Sequence, residues 1–316
     1  MNAPIYQANP IHSIKALSRA LECTPGMLQD LAKRASHLYI GPKRKLKRDG
    51  KTFRDVYDTK PPLKPLLQKI NRCIFTNVNF PLYLQGSLRG RDFVSNVEIH
   101  ENSKIAISED IEKYFDNISE NAVFSIWKNF FKFGHEPAEI LTLITTREGR
   151  VFQGTPTSSY LANLAFWDIE GVVMERLLAN GLRYSRYVDD VTISSTTSIT
   201  QEQKTWAISQ IIAMVGSRGF RIARSKHKIQ SGNQRISIMK LNANQKAGLS
   251  SKERSSIRAA VFQLQKNFNC EGASTEFQKA LNQASGRVSR LSRFHPTEAR
   301  QLREQLHLMK SSLDPV

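Results

Sequence analysis

Cysteine is scarce in this chain: Cys23, Cys73 and Cys270 stand far apart and form no CxxC pair. That excludes a disulfide framework, a zinc ribbon and a dithiol redox motif, and it fits a reducing cytoplasm. Long apolar runs are missing too. Met1 to Pro10 lacks the basic start and apolar core of a secretory leader, and the most apolar stretch, Leu161 to Leu178, is broken by Asp168 and Glu170. The expectation is a protein with no leader and no membrane span. Acidic residues are few: 28 Asp and Glu face 46 Lys and Arg, a formal net charge of +18. Such a field concentrates polyanions, and nucleic acid is the first partner it implies. The 316 residues leave room for two or three packed subdomains around a sizeable core.

Helical spacing links Ile14, Leu17 and Leu21, and Thr24-Pro25 reads as an N-cap with proline at the first helical position, opening a second helix through Met27, Leu28, Leu31 and Leu38. Lys43, Arg44, Lys45, Lys47 and Arg48 then lead through an Asp49-Gly50 turn into the strand-like Thr52 to Tyr57, a basic hairpin. After Pro61-Pro62 a helical period resumes with Leu63, Leu66, Leu67 and Ile70, through about Phe75. Lys104 to Ile111 is short and rich in β-branched residues, a strand that delivers acidic residues to its end. Helices are expected over Asn121 to Phe133 and Pro137 to Thr145, a loop over Phe152 to Ser159, and one long helix over Tyr160 to Asn180. Ser158 and Ser159 are expected to cap that helix. Leu182 to Ser195 reads as two strand arms around Val188-Asp189, followed by a helix over Glu202 to Val215. Short strands at Arg221 to Ala223 and Arg235 to Leu241 flank a Ser231-Gly232-Asn233 turn. The last part is basic and helical: Ser250 and Glu253 form a capping box before the stripe Ile257, Ala260, Val261, Leu264 and Phe268. A final helix after Pro296 carries Leu302, Leu306, Met309 and Leu313.

Asp189 and Asp190 at a hairpin tip repel one another unless a cation neutralises them, so they point to a divalent metal. Taken alone, an Asp-Asp pair is more often a solvated turn. Asp110, at a second strand end, provides the third carboxylate that a two-metal phosphoryl-transfer centre needs. Neither His nor Cys clusters with these residues, which disfavours zinc.

Four ordered segments, SEDIEKYFDNIS, FQGTPTSSYLANL, RYVDD and GFRIARSKHK, resemble palm motifs A to D of reverse transcriptases. Upstream, GKTFRDVYDTKPPLKPLLQKI resembles the fingers segment of bacterial reverse transcriptases, and RISIMKL falls at the place of the primer-grip strand. The resemblance covers roughly residues 15 to 310. It implies an α+β right-hand polymerase with fingers, a palm of antiparallel sheet plus helices, and a helical thumb. The implied division is 1–40 N-terminal helical extension, 41–104 fingers, 105–245 palm and 246–316 thumb. The implied activity is RNA-directed DNA synthesis from dNTPs with two Mg²⁺ ions, Mn²⁺ being a substitute.

Carried over by motif, Asp110, Asp189 and Asp190 are the catalytic metal aspartates, with the backbone carbonyl of Ile111 as a further ligand. Phe115 falls where the family places the ring that rejects a 2′-hydroxyl, and Gln153 and Gly154 fall in the loop that meets template and nucleotide. Glycine there lets backbone approach a base pair closely. Arg54 matches the fingers cation for the triphosphate, and Lys226 the lysine that serves as proton donor to leaving pyrophosphate.

Asn96-Val97-Glu98-Ile99-His100 resembles the Asn-Ala-x-x-His element of retron reverse transcriptases, with valine replacing alanine. The second retron marker, Val-Thr-Gly, has no match near Ile236-Ser237-Ile238. His100 read by itself is equally a satisfied histidine at a strand end. The chain stops after the thumb-like helices, without the maturase and endonuclease regions of intron enzymes, which also favours a retron. This resemblance implies a structured noncoding RNA as partner, priming from a 2′-hydroxyl, an RNA-linked single-stranded DNA product and a defence effector protein. Arg258, Arg287, Arg290 and Arg293 are the expected RNA contacts. The competing readings are another bacterial defence or group II-derived reverse transcriptase, and a noncatalytic RNA-binding scaffold.

Overall fold

Side-chain caps start the first helices: Ser13 Oγ accepts from the Ala16 N–H and Thr24 Oγ1 from the Met27 N–H, each at 3.2 Å. The structure, a computed structural model, describes residues 2–46, 50, 52–232, 234–271 and 274–312, and of 269–271 only the backbone. Lys47, Arg48, Asp49, Asn233 and Leu313, which the sequence places in turns and a helix stripe, lie outside these residues.

After β1 (Ile5–Tyr6), α1 (Ile14–Ala20) and α2 (Pro25–Arg34) bury the expected Leu17, Leu21, Leu28 and Leu31. The basic run folds back as β2 (Tyr39–Leu46) and β3 (Phe53–Thr59), with Lys45 opposite Arg54 and Lys43 opposite Val56. α3 (Leu63–Cys73) turns its leucine stripe inward, and β4 (Val78–Asn79) pairs antiparallel with β1. Asp92 caps α4 (Phe93–Glu98), which precedes β5 (Ile105–Asp110). α5 (Glu120–Ser125) runs into a π turn over Ile126–Phe130, and α6 (His135–Thr145) follows.

The long helix expected over Tyr160 to Asn180 is two helices, α7 (Ser158–Asn163) and α8 (Glu170–Ala179). At the end of α7 the Ala162 carbonyl accepts from the Tyr114 hydroxyl at 2.6 Å and the Asn163 carbonyl from Arg186 Nη2 at 3.0 Å. Two carbonyls that would have continued the helix are thereby engaged by side chains distant in sequence. Nor do the serines cap: Ser158 Oγ donates to the Phe152 carbonyl at 2.6 Å.

β6 (Arg183–Tyr187), β7 (Asp190–Ser195) and α9 (Gln201–Gly216) match the reading closely. In the segment Arg221 to Ala223 only Ile222 pairs, bridging Ile111, and β8 (Lys228–Ser231) supplies the regular strand. The strand expected over Arg235 to Leu241 is β9 (Ser237–Ile238) and β10 (Leu241–Asn242), because Met239 and Lys240 turn the chain with φ of 48° and 67°. The last helices are α10 (Ser251–Glu271), α11 (Thr275–Ser292) and α12 (Pro296–Ser311).

The central sheet has the order β6-β7-β5-β8, every neighbour antiparallel. Strand alternation on β5 sends Ile107 into the larger core, shared with α1 to α3 and α5 to α9, and Ala106 into a second core with α4, β9, β10 and α10 to α12. Among the described residues no helix is long and apolar enough to cross a membrane.

Candidate active site

Asp110 ends β5 and lies directly opposite Asp190, the first residue of β7, while the Ile111 N–H donates to the Asp189 carbonyl at 3.0 Å. Period-2 alternation makes this register decisive, since a slip of one residue would turn Asp110 to the other face of the sheet. The three aspartates expected to act together therefore meet at one edge. Burial first, then the Asp189 and Asp110 carboxylates, push Asp190 up to about 7, and burial with Asp110 raises Asp189.

The charge facing them is Lys226, whose Nζ is 2.7 Å from Asp110 Oδ2. Burial works against its ammonium, but the hydrogen bond to Asp110 and the three carboxylates outweigh it and raise the Lys226 pKa. Bonds from the Ala223 N–H to the Asp110 carbonyl and from the Glu112 N–H to the Arg221 carbonyl, both 2.8 Å, dock the Lys226 turn against β5. They flank the Ile111 carbonyl without using it. On the opposite face of β5, Glu109 is buried and accepts His227 Nδ1 at 2.6 Å, a pair that sequence reasoning missed. Alternation along β5 was its only signal.

Among the described residues, no three His, Cys, Asp or Glu side chains are so placed that they would by themselves hold a metal ion. Yet oxygen-only donors with an excess of buried negative charge are what a hard divalent cation requires. Asp110, Asp189 and Asp190 fit that group.

Gly154 was expected to give room to a base pair. Its φ is 110°, and a Cβ there would collide with the Tyr57 carbonyl oxygen and come within 2.6 Å of Val56 Cγ1. What presses on Gly154 is the basic hairpin itself, and the Gln153 carbonyl accepts the Tyr57 N–H at 2.8 Å. Arg54 is exposed and shares with Val56 the hairpin face that looks onto this loop. Between hairpin, α3 and loop lies a cleft of about 510 Å³ lined by Lys43, Lys45, Lys64, Asn71, Gly154 and Pro156. Phe115 is half-buried beside the fully buried Tyr114, their ring centroids 6.0 Å apart.

His100 is a buried structural joint. Its Nδ1 is 2.7 Å from Ser194 Oγ and its Nε2 2.7 Å from Ser185 Oγ, which donates to Asn96 Oδ1 at 2.8 Å. Burial, then Arg183, hold its pKa down at about 3, so the ring is neutral. Asn96 and His100 thus fasten α4 to β6 and β7.

The arginines expected to meet RNA sit on the C-terminal helices with partners in the chain. Arg258 pairs with Glu298, Arg290 Nη1 with Glu253 at 2.7 Å, and Arg293 with Asp92, while Arg287 donates to Ser256 Oγ at 2.7 Å. Sequence reasoning also missed Gly86, Glu170 and Arg186, which pack under the aspartate turn.

An antiparallel sheet whose adjacent strand ends converge three aspartates, flanked by a basic hairpin and a helical C-terminal unit, defines a nucleotide polymerase palm. Residues 46–259 match the family model described as reverse transcriptase (RNA-dependent DNA polymerase). The Retron Se72 reverse transcriptase of Salmonella heidelberg (strain 579083-10) is 33% identical over 307 residues, 96% of this chain and 81% of that protein. The Retron Ec48 reverse transcriptase of Escherichia coli is 31% identical over 323 residues, covering 97% and 78%. Among solved structures, telomerase from Candida albicans in complex with a fragment of telomeric RNA has a TM-score of 0.41 at 12% identity, over 77% of this chain and 47% of that one. The chain belongs to the reverse transcriptase family, in its bacterial retron type, and is an RNA-directed DNA polymerase.

Proposed function

We propose that the chain copies part of a structured noncoding RNA from a 2′-hydroxyl primer on that RNA, leaving RNA-linked single-stranded DNA, and that this product serves antiphage defence with an effector protein. The observation that carries the catalytic part is the pairing of Asp110 with Asp190 across the sheet, with Lys226 on Asp110. Asp110, Asp189, Asp190 and the Ile111 carbonyl would hold two Mg²⁺ ions, for which Mn²⁺ can substitute. When bound, these ions activate the primer hydroxyl and neutralise the triphosphate. Lys226, held protonated by its carboxylate neighbours, carries the proton for leaving pyrophosphate. Arg54 presents a cation from the hairpin, and Gln153 and Gly154 join that hairpin to the nucleotide site. Sequencing the nucleic acid that copurifies with the protein tests the product: a covalently branched RNA-DNA supports the reading, and unbranched DNA or RNA alone refutes it.

Phe115 is the proposed steric gate. Phe115→Ala is expected to raise rNTP incorporation relative to dNTP by about 10- to 100-fold, the magnitude of 1.4 to 2.8 kcal/mol of lost discrimination. Single-nucleotide incorporation kinetics with both substrates check it, and an unchanged ratio counts against the gate.

For RNA, the helical C-terminal unit provides arginines that spend only part of their five N–H donors on the chain's own carboxylates. If four to six phosphates are met, affinity falls by roughly 100- to 1,000-fold between 50 and 200 mM salt. Filter binding at graded salt measures that slope, and a flat dependence contradicts phosphate-dominated recognition.

A further inference from the structure

Val188, between β6 and β7, has φ of 63°. A β-branched residue resists this left-handed conformation, so the turn that carries Asp189 has to be held by its surroundings. Gly86 holds it from one side. A Cβ at Gly86 would stand 2.5 Å from Val188 N and 2.9 Å from the Tyr187 carbonyl carbon, and Asn163 Nδ2 tethers the Gly86 carbonyl at 2.8 Å. The preceding residues run alongside: the Gln85 N–H donates to the Arg186 carbonyl at 2.9 Å, and the Arg186 N–H to the Tyr83 carbonyl at 2.8 Å.

The Arg186 side chain, 0% exposed, holds the turn from the other side. Its Nε and one Nη2 hydrogen reach Glu170 Oε1 and Oε2 at 2.6 and 2.7 Å, and the second Nη2 hydrogen reaches the Asn163 carbonyl at 3.0 Å. Nη1 donates to Tyr114 Oη at 3.0 Å and to the Val188 carbonyl at 2.9 Å. All five donors of the fork are therefore engaged, one of them on the strained residue. The rings of Tyr114 and Phe166 lie 5.8 and 5.4 Å from its guanidinium carbon and fix its plane.

We propose that Arg186, aimed by Glu170, is the positioning residue of the catalytic turn: it clamps the Val188 carbonyl against Gly86 and so sets Asp189 and Asp190 to face Asp110. This rests on the reading of those aspartates as the metal site. Arg186 touches no substrate and acts through Val188. A buried Arg–Glu pair adds little net stability over an apolar replacement, so geometry accounts for this pair better than stability does.

The test compares Arg186→Lys, Arg186→Lys/Val188→Gly, Gly86→Ala and Asp189→Ala by steady-state incorporation on a primed RNA template across Mg²⁺ concentrations, with RNA affinity and melting temperature alongside. Lysine keeps the charge but lacks the planar fork that reaches four partners at once. Arg186→Lys is expected to lower kcat by about 100-fold and to raise the Mg²⁺ needed for half-maximal rate by about tenfold, with RNA affinity within about twofold. Glycine adopts φ of 63° without strain, so Val188→Gly in that background should return about tenfold of the rate. Wild-type turnover and Mg²⁺ dependence in Arg186→Lys, or a loss that Val188→Gly does not relieve, overturns the proposal. Should Arg186→Lys not fold, Gly86→Ala decides: a raised Mg²⁺ requirement supports the clamp, and a wild-type one sinks it. Activity in Asp189→Ala would instead overturn the metal reading on which the clamp depends.

Discussion

Asp189→Ala and Asp190→Ala should each lower dNTP incorporation by at least about 10³-fold, a loss of some 4 kcal/mol of transition-state stabilisation, while RNA affinity stays within about twofold. Each substitution removes an oxygen donor at the site and no phosphate contact. Stability should move the other way. The three carboxylates are held together against burial and mutual repulsion, which is why Asp190 is pushed up to about 7. Its folded pKa lies above its unfolded one, so in the absence of divalent cation this group's contribution to stability is fully present below the ordinary aspartate range. It is lost as pH rises through about 7. Asp190→Ala should flatten that dependence. A divalent cation that binds only the folded wild type should raise its melting temperature with concentration and leave Asp189→Ala unmoved. Full activity in either variant, or equal cation stabilisation of both proteins, would remove the aspartates from the reaction.

The convergence of Asp110 with Asp189 and Asp190 was legible in the chain because it depends on local patterns: a β-branched segment ending in an acid, and two arms around an Asp-Asp tip. Thr24 and Pro25 were equally readable, since a cap acts on the next turn of its own helix. The break between α7 and α8 was not, for its cause lies outside the segment. Tyr114 and Arg186 take the carbonyls of Ala162 and Asn163, and no periodicity within Tyr160 to Asn180 carries that information. Glu170 illustrates the same limit. In sequence it interrupts an apolar stretch; in the fold it is the buried counter-charge of Arg186. The arginines of α10, α11 and the turn after it read as RNA contacts, and their partners Glu298, Glu253 and Asp92 come from elsewhere in the chain. His100 is the reverse case: the motif located it, and only the fold showed that both ring nitrogens are spent on serines of β6 and β7.

Gly154→Ala should combine backbone strain with a backbone clash at one residue. The residue sits at φ of 110°, where an L side chain is strained, and its missing Cβ leaves the space in which the Tyr57 carbonyl rests. Both effects act together, and backbone strain plus overpacking costs roughly 2 to 5 kcal/mol if nothing moves. The hairpin of β2 and β3 is the part that gives, because its outer residues are exposed and it meets the loop through the 2.8 Å bond from the Tyr57 N–H to Gln153 and the rings of Tyr39 and Tyr57 on Phe152. Relief therefore comes by shifting Arg54 and the lysines of the cleft away from the proposed nucleotide site. A displacement near 1 Å is enough to lower incorporation by about 100-fold, mostly through kcat and dNTP affinity. Gly181→Ala is the control: Gly181 has φ of 71° with nothing near its Cβ position, so alanine there bears the backbone cost alone. If the two variants lose stability and activity equally, the contact between Gly154 and Tyr57 has no part in joining hairpin to catalytic sheet. If Gly154→Ala alone loses incorporation while keeping RNA affinity, the loop's glycine serves the alignment of the hairpin over the site.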